Sequence, residues 1–257
     1  MNGIALEIAV AVVPAVLAIT LHEAAHGYAA LALGDDTARR AGRLSLNPLR
    51  HIDPVGTILL PGLLLIGQLM TIGRVAFMFG WAKPVPVAAW KFRNPRRGMM
   101  FVAMAGPAMN FFLAWLGALG VNLICTYLGI GSQCLSWLTA ASLDPASDAG
   151  TGTAEVLAIG LLEFIIFNLL LGLFNLLPIP PLDGGRIAVG LLPQPLAIRW
   201  ARMERAGIVI VLVLIFILPQ VLREFGVRFD PVNAFLSGVV LRAMRLTLRL
   251  AGVDGAG

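Results

Sequence analysis

Charged residues and cysteines are scarce in this chain of 257 residues, and the scarcity excludes several classes of protein. Asp, Glu, Lys and Arg make up 13% of the chain, against roughly 25% of an ordinary soluble domain. Together with 58% hydrophobic residues, this excludes a disordered chain, a nucleic-acid-binding protein and an ordinary cytosolic domain. The two cysteines, Cys125 and Cys134, are too few for a disulfide framework or a thiolate metal site, and we assign them no role.

Long apolar runs make up most of what is present. Most of them reach the ~20 residues that a helix needs to cross ~30 Å of hydrocarbon, which makes the lipid bilayer the expected solvent. We therefore predict an all-α polytopic membrane protein, a helical bundle of about five or six membrane segments. The apolar runs cover about residues 4–33, 54–72, 99–130, 153–177, 208–222 and 231–250.

The basic residues are distributed unevenly, and this predicts a topology. No Lys or Arg occurs from Gly98 to Gly185, whereas the segments 74–97 and 186–205 are basic. Because Lys and Arg concentrate in cytoplasmic loops, both basic segments should face the cytoplasm. The run 54–72 has basic residues on both sides and is interrupted by Pro and Gly, so we predict a re-entrant or β-like element between the first and second full spans.

A His-Glu-x-x-His pattern lies within the first apolar run, as His22, Glu23 and His26. Residues four apart on a helix lie on one face about one turn apart, so both imidazoles can bind one metal ion. The pattern is typical of zinc hydrolases, in which the Glu is the general base. The alternative is a polar helix end whose imidazoles bond to neighbouring carbonyls, but ionisable groups at membrane depth usually serve a function.

A catalytic zinc usually has three protein ligands and one open position for water, so a third ligand is needed. The remaining histidine, His51, is assigned to a loop, and the carboxylates near membrane depth are Glu163 and Asp183. Asp183 follows a proline-rich segment and precedes two glycines, so it is either a ligand or a helix cap. If the run 54–72 does not cross fully, the first and fourth runs are parallel and Asp183 can meet the two histidines.

Three separated motifs occur in one order along the chain. They are His22-Glu23-x-x-His26, Ala105-Gly106-Pro107-x-x-Asn110 and Asn175-Leu-Leu-Pro-Ile-Pro-Pro-Leu182-Asp183-Gly184-Gly185. Over about residues 15–190 the chain resembles the site-2 protease family of intramembrane zinc metalloproteases, in its compact bacterial branch without a PDZ or CBS domain. The resemblance implies one Zn²⁺ per chain, bound by His22, His26 and Asp183, with Glu23 as the catalytic base.

The resemblance implies an intramembrane zinc endopeptidase that hydrolyses peptide bonds of single-span membrane proteins, as in regulated intramembrane proteolysis. We expect one integral membrane domain over 1–257, with a catalytic core at about 8–190 and C-terminal helices at about 206–250. The expected location is a bacterial cytoplasmic membrane, with the active site toward the cytoplasmic side. The alternatives are a membrane zinc hydrolase of a lipid or small amide, or a non-catalytic metal-binding scaffold or transporter.

Amide side chains near the motifs are candidates for stabilising an oxyanion. Asn110 and Asn175 can donate to a developing negative charge or position the substrate. Their alternative role is hydrogen bonding between helices, and that role is favoured for Asn168.

The stretch 80–87 contains Pro84 and Pro86, which exclude a helix there. With the run 54–72, it is predicted to form a β-like edge that pairs with the substrate as a strand. The alternative is an ordinary connector between two membrane segments.

Overall fold

The structure is a computed structural model that describes residues 2–72, 82–134, 136–137, 153–226 and 230–253. These residues form helices and no β-strand, as predicted for an all-α protein. The α-helices with described bounds are α1 (Asn2–Ala32), α2 (Thr37–Arg40), α3 (Leu60–Ile72), α4 (Pro95–Tyr127), α5 (Thr153–Asn175), α6 (Asp183–Leu191), α7 (Gln194–Arg202), α8 (Glu204–Leu212), α9 (Leu218–Glu224), α10 (Pro231–Phe235) and α11 (Leu241–Leu250).

Two of these helices are long and apolar enough to cross a bilayer, namely α4 and the Val156–Asn175 part of α5. Helix α1 has 31 residues, which corresponds to about 46 Å at 1.5 Å per residue. Two apolar helices fit a membrane protein, and the larger predicted number of membrane segments stays a prediction.

Helices α1, α4 and α5 pack against one another around the centre of the protein. The contacts that set their directions are Ala18–Asn110 and His26–Val102 between α1 and α4, and Asn168–Asn110 and Ile165–Gly117 between α5 and α4. In each pair the residue numbers rise in one helix as they fall in the other, so both pairs are antiparallel. Helices α1 and α5 therefore run parallel, which is the arrangement that allows the first and third motifs to meet.

Small residues on α4 allow α5 to approach closely. A Cβ placed on Gly117 would lie 3.0 Å from Ile165, and one on Gly120 would lie 2.9 Å from Leu161. The adjacent Ala114 and Ala118 are fully buried against the same helix. Small residues at helix contacts are the usual means of packing helices tightly in membranes, because they let the backbones come close.

The run 54–72, predicted to be re-entrant or β-like, is helical over its whole length, so the β-like alternative is wrong for this run. A π-helical turn, Pro54–Leu59, continues directly into α3, and Asp53 caps it by accepting the N–H groups of Val55 and Gly56. Residues 82–88 have no regular secondary structure, and residues 80 and 81 of the predicted edge lie outside the described ranges. The path of this element across the membrane stays a prediction.

Cys125 and Cys134 form a disulfide, a pairing to which the sequence analysis gave no role. The apolar run 99–130 includes Cys125 and continues beyond it, but α4 ends at Tyr127, so Cys125 occupies the last turn of the helix. Gly129 follows with a φ of 68°, a left-handed conformation that glycine adopts at little cost and that reverses the chain. The reversal brings Cys134 back to the end of α4.

The C-terminal helices complete the bundle. Helices α8 and α9 are joined by the π-helical turn Val213–Ile217, and α10 and α11 by the turn Leu236–Val240. Helix α11 packs onto α4 through the fully buried Leu248, and the Asn122 amide donates to the Ala251 carbonyl at 2.7 Å.

Candidate metal centre

Three side chains from distant parts of the chain converge between α1 and α6. The Nε2 atoms of His22 and His26 are 3.0 Å apart, and Oδ2 of Asp183 lies 3.2 Å from each of them. All three side chains are buried. They form a group of potential metal ligands whose donor atoms all lie within 4.8 Å of one another.

The other nitrogen of each imidazole is held by α4. His22 Nδ1 donates to Oδ1 of Asn110 at 2.6 Å, and His26 Nδ1 donates to the carbonyl of Val102 at 2.7 Å. Both partners are acceptors, so we assign the proton of each neutral ring to Nδ1. Each Nε2 therefore presents a lone pair to the centre, which is the state in which histidine binds a metal.

The donor set fits Zn²⁺. Two imidazole lone pairs and a carboxylate oxygen face one another, and buried Oδ2 of Asp183 receives no hydrogen bond. Three acceptors repel one another unless a cation lies among them. Ligand atoms on a tetrahedral zinc with bonds of about 2.0–2.1 Å are separated by about 3.3 Å, close to the 3.0 and 3.2 Å observed here.

A tight connection brings Asp183 to the centre. Asp183 is the first residue of α6; the N-cap is Leu182 and makes no side-chain cap bond. The carboxylate of Asp183 therefore faces the histidines instead of capping the helix. A Cβ on Gly184 would lie 2.3 Å from the Leu176 carbonyl oxygen, and one on Gly185 would lie 2.5 Å from Pro180 N. Only glycine fits at these positions, because the preceding loop folds directly onto the start of α6.

The imidazoles rest on Gly106 of α4. A Cβ at this position would lie 2.5 Å from Cε1 of His22 and 2.5 Å from both Cε1 and Nε2 of His26. Real Cβ atoms essentially never approach other atoms so closely. Gly106 is therefore the floor of the centre, a role that the sequence analysis did not assign to it.

Comparison with known proteins identifies the family. Residues 10–218, most of the chain, match the pattern of the family described as "Peptidase family M50". The chain belongs to peptidase family M50, the family of the site-2 proteases. The enzyme is a zinc metalloprotease of a membrane protein family, and the resemblance inferred from the three motifs is confirmed. The alternatives of a lipid hydrolase, a scaffold or a transporter are thereby set aside.

Two relatives carry names that agree with this membership. The protein named "Putative zinc metalloprotease YwhC" from Bacillus subtilis is 38% identical over 208 residues, which cover 81% of this chain and 80% of the relative. "Putative zinc metalloprotease Rip2" from Mycolicibacterium smegmatis is 30% identical over 168 residues, which cover 65% of this chain and 51% of the relative. No solved structure matches the chain.

Glu23 of this M50 peptidase lies beside the three donor residues and is half-buried. Its Oε2 accepts a hydrogen bond from the backbone N–H of Val85 at 3.1 Å. Val85 belongs to the stretch that the sequence predicted to pair with substrate. Its N–H is directed at Glu23 instead, so this donor is already engaged within the protein.

The predicted oxyanion residues are hydrogen-bonded inside the bundle. The Asn110 amide nitrogen donates to Oδ1 of Asn168 at 2.9 Å, and to the Ala18 carbonyl at 3.4 Å. Asn168 thus bonds between helices, as the sequence favoured. The Asn175 amide donates to the Leu171 carbonyl within its own helix at 3.0 Å. The contacts of Asn110 are those of a residue that orients His22.

The two remaining candidates for a third ligand lie elsewhere. His51 is buried in the 3₁₀ turn Pro48–His51, with Nε2 2.8 Å from the Ser45 carbonyl oxygen. Glu163 lies on α5 outside the group of converging donor atoms. Neither residue shares the centre with His22 and His26.

Proposed function

We propose that this metalloprotease hydrolyses peptide bonds of single-span membrane proteins, with His22, His26 and Asp183 holding one zinc ion and Glu23 acting as the general base. One observation carries the proposal. The Nε2 lone pairs of His22 and His26 and an Asp183 oxygen that receives no hydrogen bond lie within about 3 Å of one another, and all three side chains are buried. The proposal includes a role in regulated intramembrane proteolysis.

The contacts of Glu23 support its role as the general base in hydrolysis. Zinc, when bound, supplies a Lewis acid that polarises the scissile carbonyl and lowers the pKa of water to about 7. Oε2 of Glu23 is engaged by Val85, which leaves Oε1 to take a proton from the attacking water. Glu23 then delivers that proton to the leaving amine, as a general base that becomes a general acid.

The residues of α4 fix the geometry in which this happens. Asn110 and the Val102 carbonyl hold the Nδ1 protons of His22 and His26, which keeps both rings oriented toward the centre. We assign Asn110 to this orienting role instead of oxyanion stabilisation, because both of its amide atoms are bonded within the protein. The proposal keeps Asn175 as a residue that positions the substrate.

The depth of the centre supports an active site toward the cytoplasm. Gly106 lies roughly 16 Å along α4 from Pro95 and roughly 32 Å from Tyr127. The near end of α4 carries Arg96 and Arg97, typical of the cytoplasmic face. The far end carries a disulfide, typical of an oxidising compartment. We infer that the enzyme lies in a bacterial cytoplasmic membrane as one integral domain over 1–257.

The antiparallel packing of α1 and α4 supports a re-entrant path for the run 54–72. If both helices cross the bilayer in opposite directions, the chain between them begins and ends on the same side. A single full crossing by α3 within that interval would violate this condition. We propose that the π-helical turn and α3 enter the membrane from the cytoplasmic side without crossing it.

The test compares Glu23→Gln with Glu163→Gln, two amide substitutions on apolar helices. Each variant is reconstituted in liposomes with a tagged reporter protein that has one apolar helix of about 20 residues. We expect Glu23→Gln to keep one zinc per chain, measured by elemental analysis, and to lose reporter cleavage by at least 100-fold. Glu163→Gln should retain both.

Substitution of His22 or Asp183 by Ala should remove the zinc itself. Cleavage by Glu23→Gln at the wild-type rate would overturn the assignment of the base. Retention of zinc by both ligand variants would overturn the metal centre.

A further inference from the structure

Asp35 is a fully buried carboxylate that none of the roles above uses. It lies just beyond the end of α1. Its Oδ1 accepts the backbone N–H of Thr37 at 3.0 Å and the hydroxyl of the same residue at 2.5 Å. Its Oδ2 accepts the backbone N–H of Ala88 at 2.6 Å. A buried charge bonded by a backbone amide from a distant segment fixes that segment strongly.

The segment that Asp35 holds is a strap, defined here as Lys83–Lys91, which contacts Glu23 through the Val85 N–H. It is attached along its whole length. The attachments are Lys83 N–H to the His51 carbonyl at 2.9 Å, Arg43 Nη2 to the Lys83 carbonyl at 2.8 Å, Val85 N–H to Glu23 at 3.1 Å, Ala88 N–H to Asp35 at 2.6 Å, and Lys91 Nζ to Asp36 at 2.6 Å and to Thr37 Oγ1 at 2.9 Å.

Near Glu23, residues 84–86 of the strap offer one backbone hydrogen-bond donor, the Val85 N–H. Pro84 and Pro86 have no N–H, so Val85 supplies the only backbone donor of these three residues. Its side chain is buried against α1, where a Cβ on Gly27 would lie 3.1 Å from Val85 Cγ1. A substrate strand cannot receive a hydrogen bond from residues 84 or 86. Within residues 84–86, the Val85 N–H is therefore the only backbone donor that can hold Glu23.

We propose that Asp35 is a positioning residue for peptide hydrolysis: by anchoring Ala88 it sets the register of the strap, so that the Val85 N–H meets Glu23. The proposal rests on the assignment of Glu23 as the base. The link is short, since only two residues lie between the amide of Val85, which binds Glu23, and the amide of Ala88, which binds Asp35. A shift of the strap by one residue would bring a proline to Glu23 and remove its donor.

The ionisation of Asp35 agrees with this role. Burial raises the pKa of the carboxyl group, but the hydrogen bonds from Thr37, Ala88 and Lys91 outweigh burial and hold that pKa below its ordinary value. The side chain is therefore a carboxylate at neutral pH and accepts from every donor that faces it. An amide in its place would turn an N–H group toward one of those donors.

The experiment compares Asp35→Asn with Asp36→Asn, the same change one residue along, in the full-length enzyme in liposomes. We expect Asp35→Asn to accelerate hydrogen exchange of the Val85 and Ala88 amides and to lower kcat about tenfold, because a misplaced base costs rate. KM and zinc content should stay at wild-type values, since the base acts in the transition state. Asp36→Asn removes one contact of the Lys91 side chain at the end of the strap, but Lys91 keeps Thr37 and Asp35, and the Ala88 amide stays bound to Asp35. It should therefore change neither exchange nor kcat.

A double-mutant cycle shows whether Asp35 acts through Val85. Val85→Pro removes the N–H that meets Glu23, and Val87→Pro, the control, removes an N–H that contacts no described group. We expect Val85→Pro to lower kcat, Val87→Pro to leave it unchanged, and Asp35→Asn to add little in the Val85→Pro background. If Asp35→Asn does not fold, Ala88→Pro breaks the same contact from the other side and replaces it in the cycle.

The outcomes separate this inference from the proposed function. Wild-type kcat in Asp35→Asn despite faster exchange would overturn the inference, and so would fully multiplicative effects of Asp35→Asn and Val85→Pro. Equal losses in Val85→Pro and Val87→Pro would overturn it in favour of strand pairing with substrate. Failure of the proposed function would appear elsewhere, as wild-type cleavage by Glu23→Gln.

Discussion

Substitution of Gly106 by Ala tests whether α4 forms the floor of the metal centre. The added methyl would lie 2.5 Å from one atom of His22 and from two atoms of His26. Carbon atoms in contact prefer about 3.5–4.0 Å, so the imidazoles have to move by about 1 Å. They cannot do so freely, because Asn110 and the Val102 carbonyl hold their far sides at 2.6 and 2.7 Å.

The size of the effect follows from these distances. Donor atoms that now lie 3.0–3.2 Å apart would separate or rotate, and a displacement of about 1 Å in an active site costs about 100-fold in rate. The intrinsic preference of a helix acts in the opposite direction, because Ala is more favourable than Gly by about 1 kcal/mol. A loss of activity in Gly106→Ala would therefore result from displacement of the imidazoles and not from a weaker helix.

The assay measures zinc affinity by competition with a chelator, together with cleavage of the single-span reporter. Gly160→Ala on α5 is the control, because a Cβ there meets no atom within 4 Å. We expect Gly106→Ala to lose zinc affinity and at least 100-fold in kcat/KM, while Gly160→Ala behaves as the wild type. Equal zinc affinity in the two variants would refute the packing of the imidazoles on Gly106.

Two further predictions concern buried polar groups. Asn110→Ala should weaken zinc binding by about 10–100-fold, the usual cost of losing the partner of a histidine ligand; lost cleavage with unchanged zinc affinity would instead favour the oxyanion role. The folded-state pKa of Asp35 lies below its ordinary value of 3.8. Its stabilising contribution is therefore complete above that pH and is lost as the pH falls through the folded-state pKa. The unfolding temperature should fall more steeply below about pH 4 in the wild type than in Asp35→Asn, and parallel curves would contradict this.

The sequence was sufficient for the candidate ligands because their constraints are local. The spacing of His22 and His26 places both rings on one helix face regardless of the rest of the fold. The small number of carboxylates and the parallel direction of two apolar runs left Asp183 as either a ligand or a helix cap, and the resemblance to the site-2 proteases implied the ligand role. Scarcity helped here, since a soluble protein with many Asp and Glu residues would have offered many third ligands.

The sequence was insufficient where a contact depends on the register of two helices. Nothing in the spacing of Asn110 shows that its amide meets His22 instead of a substrate oxygen. Likewise, two prolines at 84 and 86 predict a non-helical segment, but not that Val85 between them faces Glu23. The disulfide was not predicted, because the apolar run continues to about residue 130 and so does not show that α4 ends at Tyr127, just after Cys125.

The register of α1 against α4 explains why one helix supports both histidines. Val102, Gly106 and Asn110 are spaced four residues apart and share one face of α4, as His22 and His26 share one face of α1. Because the helices are antiparallel, His22 meets Asn110, His26 meets Val102, and Gly106 falls between the two rings. A rotation of α4 by one residue, about 100°, would remove both acceptors and the floor together. Gly106 and Asn110 of the middle motif therefore set the positions of the two histidines of the first motif.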